Sequence, residues 1–175
     1  MREMSRKWLQ ASGLMLLLLG LSGCNQSIDE QIANGFQLSE TVMTEKPEKH
    51  TNTIGNIQLF LPSKYKIEDS ADNYNILISK GKKSYILFMN DREQPGSKLY
   101  YDLLKEDSAK EIIDEQTYEK NDAFGFSAVI KTEQKDQFEL VVSCGGVKMT
   151  TISSGKDIEN NLHEMTKIVQ SVKIK

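Results

Sequence analysis

The chain holds 175 residues, with 22 Lys and Arg against 25 Asp and Glu and a formal net charge of −3. Only Arg2, Arg6 and Arg92 among the basic residues are arginine, the side chain best suited to bidentate phosphate contacts, which argues against nucleic acid as a partner. The only two cysteines, Cys24 and Cys144, are too few for a disulfide-stapled framework.

In chain order, the first element is an export signal. A basic start at Arg2, Arg6 and Lys7 precedes the apolar run of residues 14–21. The wider stretch from Trp8 to Gly23 is too short, and too interrupted by Gln10, Ser12, Gly13, Gly20 and Ser22, to span a bilayer, which takes about 20 apolar residues. The apolar run ends in Leu21-Ser22-Gly23-Cys24, a tetrad that resembles the lipobox of bacterial lipoproteins. The resemblance implies cleavage before Cys24, a diacylglyceryl group on its thiol, and residence on the outer face of the cell membrane. Two acyl chains hold a protein on a membrane stably, where one does so only marginally. Cleavage removes Glu3 with the three basic residues and takes the formal charge from −3 to −5. The excess of Lys over Arg fits an AT-rich genome and favours a Gram-positive source.

Residues 24–53 are rich in Asn, Gln, Ser, Thr, Glu and Lys and read as a polar tether. Within them Ser27-Ile28-Asp29-Glu30 matches a capping box, and Ile28, Ile32 and Phe36 recur at helical spacing. An isolated helix this short is marginal in water, so the expectation is a solvated spacer. The folded unit is then residues 54–175, able to fold without the tether.

From Ile54 onward short apolar runs alternate with turn residues, as in antiparallel β structure. Residues 57–61 make a strand closed by Pro62. Residues 74–79 and 84–89 flank Lys80-Gly81-Lys82-Lys83 as a hairpin. Ser97 opens a helix to about Lys105, with Leu99, Tyr100, Leu103 and Leu104 on one stripe. Runs at 112–118, 124–131, 137–143 and 147–153 read as a meander, its last turn marked by Gly145-Gly146. Asp157 opens a last helix carrying Ile158, Leu162, Met165, Ile168 and Val169, before a short strand at Val172 and Ile174. The class is α+β: one antiparallel sheet of about six to eight strands, its apolar face covered by two helices.

This order of elements, opening on Ile57-Gln58-Leu59-Phe60-Leu61-Pro62 with Tyr65 behind it, entering a central strand at Phe124-Gly125 and closing on residues 165–172, is similar to the PsbP-like fold. That fold includes photosystem assembly proteins, a Ran-binding protein and many bacterial lipoproteins. The resemblance implies the fold and assigns no partner-binding residue.

Chemistry is sparse. Cys144 ends the apolar run of residues 138–143 and reads as a small core residue more than a nucleophile. His50 in the tether and His163 on an exposed helix face have no partner at zinc-site spacing. Asp69-Ser70-Ala71-Asp72-Asn73 clusters oxygen ligands but lacks the spacing of a calcium loop. The neighbours Glu106-Asp107 and Asp114-Glu115 do not supply two converging carboxyls. Ser143-Cys144-Gly145-Gly146 joins two strands, whereas a nucleophile elbow needs a strand-to-helix turn. The expectation is a non-enzyme with no catalytic residue, metal or cofactor, acting as a binding or assembly module for an envelope protein. Tyr100, Tyr101 and the loop residues Asp91, Arg92 and Glu93 are its candidate surface. A small-ligand carrier, or an enzyme using Cys144 or a carboxylate, are the alternatives.

Overall fold

The computed structural model describes residues 26–68 and 74–175. Cys24 and the loop Asp69-Ser70-Ala71-Asp72-Asn73 lie outside them. Among the described residues the chain forms α1 (Ile28–Thr44), β1 (Asn52–Ile54), β2 (Ile57–Leu59), β3 (Lys66–Ile67), β4 (Asn75–Lys80), β5 (Lys83–Met89) and α2 (Leu99–Glu106). It continues through β6 (Ile112–Lys120), β7 (Ala123–Lys131), β8 (Gln137–Cys144), β9 (Val147–Ser154), α3 (Ile158–Ser171) and β10 (Lys173–Ile174). The class is α+β, as the alternation of apolar runs implies.

Seven strands build one antiparallel sheet in the order β3-β4-β5-β9-β8-β7-β6. Its hairpins follow from turn chemistry. Lys80 pairs with Lys83 around Gly81-Lys82, with Gly81 at φ 62°. Asn121 and Asp122, at φ 48° and 64°, join β6 to β7; two consecutive positive φ values match the twist that a tight hairpin needs. At the β8–β9 turn a Cβ on Gly146 would lie 2.3 Å from the Asn90 carbonyl oxygen, so only glycine fits where the two backbones meet.

Strand β7 lies next to the edge strand β6 and is not the central strand expected at Phe124-Gly125, yet it is buried on both sides, and its two faces have different covers. Phe124, Phe126, Ala128 and Ile130 pack with Val141 under Tyr100 and Leu104 of α2. Val129, with Leu140 and Val142 of β8, faces Leu162, Met165 and Ile168 of α3. The sheet therefore carries apolar residues on both faces, and α2 and α3 lie on opposite sides of it. The expected arrangement, two helices sharing one face, is corrected on this point.

The helix beside α3 is α1, which occupies the stretch expected to be a solvated tether. Its capping box is complete: the Ser27 hydroxyl accepts from the Glu30 amide and the Glu30 carboxylate accepts from the Ser27 amide. Ile32, Phe36 and Met43 belong to the main apolar cluster. The contacts to α3 keep a nearly constant sequence offset: Asn34 with Glu159, Ser39 with Thr166, Val42 with Gln170. The two helices thus run parallel and in step. A Cβ on Gly35 would come within 2.7 Å of the Leu162 Cδ1 and 3.2 Å of the Glu159 Cα, so this glycine permits the close approach. The buried stripe also includes Gln31 and Ser39, which makes the segment look polar although it packs. Burying each large apolar side chain contributes about 1.5–3 kcal/mol, enough to dock a helix that would not persist alone.

The remaining expected tether is also tied down. Strand β1 pairs with β2, and β10 pairs with the other edge of β2, in a separate three-stranded sheet. The strand expected at 57–61 and the last short strand therefore exist, but outside the main sheet. His50, though exposed, lies 2.8 Å through Nε2 from the Ser171 carbonyl oxygen.

At the start of α3, Lys83 and Asp157 form an ion pair at 2.7 Å with side chains 34% and 35% exposed. Hydrogen bonds from Lys83 and then from the Ser154 hydroxyl hold the Asp157 carboxyl below its ordinary value. Its stabilisation is present above the unfolded carboxyl value of about 3.9 and is lost as pH falls through the lower folded value. Asp157→Asn is expected to cost less than about 1 kcal/mol at neutral pH, because the pair is a third exposed. In urea titrations the difference between wild type and variant should shrink in strong acid; a difference that grows there would contradict the pairing.

Candidate functional site

Two helix ends and two turns meet at one end of the main sheet: the C-terminal turns of α1 and α3, the β6–β7 hairpin and the β8–β9 turn. Between them lies a cavity of about 270 Å³ lined by Met43, Tyr118, Phe124, Gly125, Cys144 and Gln170, among others. A second hollow of about 380 Å³ shares Cys144 and Gln170 and reaches Asp91, Glu93 and Lys173. The walls are held by side chains that cap α1. Gln170 Nε2 donates to the Val42 carbonyl at 2.7 Å and to that of Glu45 at 3.2 Å. Lys120 Nζ donates to the Thr44 carbonyl. The Val42 and Thr44 carbonyls, in the last turn where no further helical amide follows, are thereby satisfied without closing the hollow.

Cys144 is a free, half-buried thiol between the two hollows, and burial pushes its pKa above the ordinary value. A raised pKa leaves little thiolate, which is the reactive form. Thiol reagents at neutral pH should therefore modify the native protein more slowly than the urea-unfolded chain, with a rate that climbs only in alkali. Labelling of the folded protein as fast as the unfolded one would contradict this. The neighbouring Ser143 hydroxyl donates to the Val147 carbonyl at 2.8 Å, so it stabilises the β8–β9 turn.

The candidate surface divides. Asp91 and Arg92 are exposed, and Glu93 is half-buried and accepts from the Ser97 hydroxyl. Asp91 and Glu93 sit on the rim of the second hollow. Tyr100 and Tyr101 are corrected to packing residues. Tyr100 is 6% exposed and meets Phe88 edge-on at 5.8 Å. Tyr101 lies against Phe124 and Phe126 at 5.7 and 5.4 Å and donates to Glu115 at 2.9 Å. They fasten α2 to the sheet. Glu115 also accepts from Lys105 at 2.7 Å, while Asp114 bonds the Glu115 amide, so the two carboxylates do not converge. His163 is half-buried, not exposed as expected, and burial lowers its pKa. Among the described residues no three His, Cys, Asp or Glu side chains are grouped as a metal would need.

Met43, Lys120 and Gln170 escape sequence reasoning. Their roles depend on segments 76 to 128 residues apart meeting in space, and no local pattern records that.

The fold defines an α+β domain. No family model and no curated protein matches the chain. Among solved structures it resembles, at the level of the fold, the cyanobacterial PsbP protein (CyanoP) of Synechocystis sp. PCC 6803. The likeness has 9% identity and a TM-score of 0.42 over 69% of this chain and 87% of that one. A protein of Bacteroides thetaiotaomicron VPI-5482 is similar at 8% identity and a TM-score of 0.35, over 69% of this chain and 45% of that one.

Proposed function

We propose that the chain is exported, acylated on Cys24 and held on the outer face of the cell membrane. There its domain serves as a non-catalytic binding or assembly module for an envelope protein. The observation that carries this reading is the tetrad Leu21-Ser22-Gly23-Cys24, placed behind a basic, apolar leader and directly ahead of the capped helix α1. The exposed loop bearing Asp91 and Arg92 is the surface we assign to the partner, since binding residues concentrate on loops set by a rigid scaffold. The depressed reactivity expected of Cys144 weighs against a thiol enzyme. A carrier of small apolar ligands is the second reading, favoured by the cavity of about 270 Å³ beside Met43 and Phe124.

Cys24→Ala should abolish incorporation of radiolabelled palmitate and leave the protein unprocessed or shed into the medium. Equal labelling of wild type and variant would contradict acylation at this thiol. A companion test uses Trp8, the only tryptophan of the chain. Protein extracted from membranes should emit as tyrosine alone, and tryptophan emission would mean that the leader is retained.

A further inference from the structure

The docking of α1 changes what an anchor at Cys24 does to the domain. With residues 24–53 as a spacer the domain would range far from the membrane. With Ile28 already helical, Cys24 stands two residues before Gln26, the first described residue, and a fully extended chain covers only about 7 Å over that step.

We infer that, once Cys24 is acylated as proposed above, the domain stands end-on upon the lipid headgroups, resting on the end that holds the start of α1. That end is defined by contacts. Ile28 borders Gly155 ahead of α3, and the Gly155 amide donates to the Asp136 carbonyl in the β7–β8 connection. Asp157 pairs there with Lys83 beside the β4–β5 turn. Its exposed charges are mixed, with Lys82, Lys135 and Lys156 among Asp29, Glu30, Glu133 and Asp136, so no block of one sign opposes contact with headgroups. Because α1 and α3 run parallel, both carry the chain away from this end. The 17 residues of α1 span about 25 Å, which sets the Cys144 hollows and the Asp91-Arg92 loop at the far end, facing away from the membrane. A partner reaching that loop would thus come from the envelope side and not from the bilayer.

The test uses the full lipidated protein in a Cys144→Ser background, reconstituted in phosphatidylcholine and phosphatidylglycerol vesicles that contain a nickel-chelating lipid. Single spin labels are placed at the exposed positions Lys135→Cys and Lys156→Cys near the start of α1, and Lys46→Cys and Arg92→Cys at the other end. The lipid-bound nickel should raise the half-saturation power at 135 and 156 and leave it unchanged at 46 and 92. Inserting about 20 Gly and Ser residues after Asn25 should erase the contrast, because a flexible linker frees the orientation. Acylated protein that shows equal relaxation at both ends, or more at 46 and 92, would overturn the end-on stance and leave the lipoprotein reading intact. Protein without acyl chains and without relaxation at any site would overturn both.

Discussion

A version of the domain lacking residues 26–45 is expected to be unfolded at room temperature, although it retains every strand and both other helices. Ile32, Phe36 and Met43 sit in the main cluster beside Leu162, Met165 and Val142, and α1 covers the face of α3 that carries Thr166 and Leu162. Truncating one large core side chain costs about 2–5 kcal/mol, while a typical domain has about 5–15 kcal/mol in total. Removing three such side chains and exposing their neighbours exceeds that reserve. Phe36→Ala alone should cost about 3–5 kcal/mol and lower the urea midpoint with little change in slope. Cooperative unfolding of residues 46–175 at the midpoint of the intact domain would show that α1 contributes no stability.

The second large effect is alkaline unfolding. Tyr65, Tyr85, Tyr100 and Tyr118 are each 7% exposed or less. Burial pushes Tyr100 and Tyr118 up to about 12 and raises Tyr65 and Tyr85 as well. In the unfolded chain all four titrate near 10. Between those values the native state holds more protons than the unfolded one, so stability falls as pH rises; it is fully present below about pH 10. Each such group removes about 1.4 kcal/mol per pH unit, and Tyr100 and Tyr118 alone about 5 kcal/mol in total by pH 12. The domain should unfold cooperatively between about pH 10 and 12, with tyrosinate absorbance rising in step with the loss of circular dichroism. Full tyrosinate absorbance with the backbone signal unchanged would mean that these rings titrate freely in the native state.

Both effects depend on burial that the sequence disclosed unevenly. The meander was legible because each strand alternates or runs apolar between clear turn residues: Gly81-Lys82, Asn121-Asp122 and Gly145-Gly146 end up in the hairpins themselves. The α3 stripe was legible because five of its eight buried positions, Ile158, Leu162, Met165, Ile168 and Val169, are large apolar residues at helical spacing. For α1 the capping box and Ile32 and Phe36 were visible, but the stripe between them is completed by Gln31, Gly35 and Ser39. Small and polar residues mark a close helix–helix contact only once the other helix is known. The periodicity of α2 identified Tyr100 and Leu104 as one stripe without saying which face of the sheet they cover, and Tyr100 and Tyr101 therefore read as surface. The cavity was least legible of all, since Met43, Tyr118, Cys144 and Gln170 come from four separate elements.

The central claim, a domain set directly on the membrane through Cys24, is tested most directly by the intact mass of the protein extracted from its native membrane. The account requires a chain that begins at Cys24 and carries a diacylglyceryl group on that residue. An unmodified Cys24, or a chain that still includes residues 1–23, would contradict it.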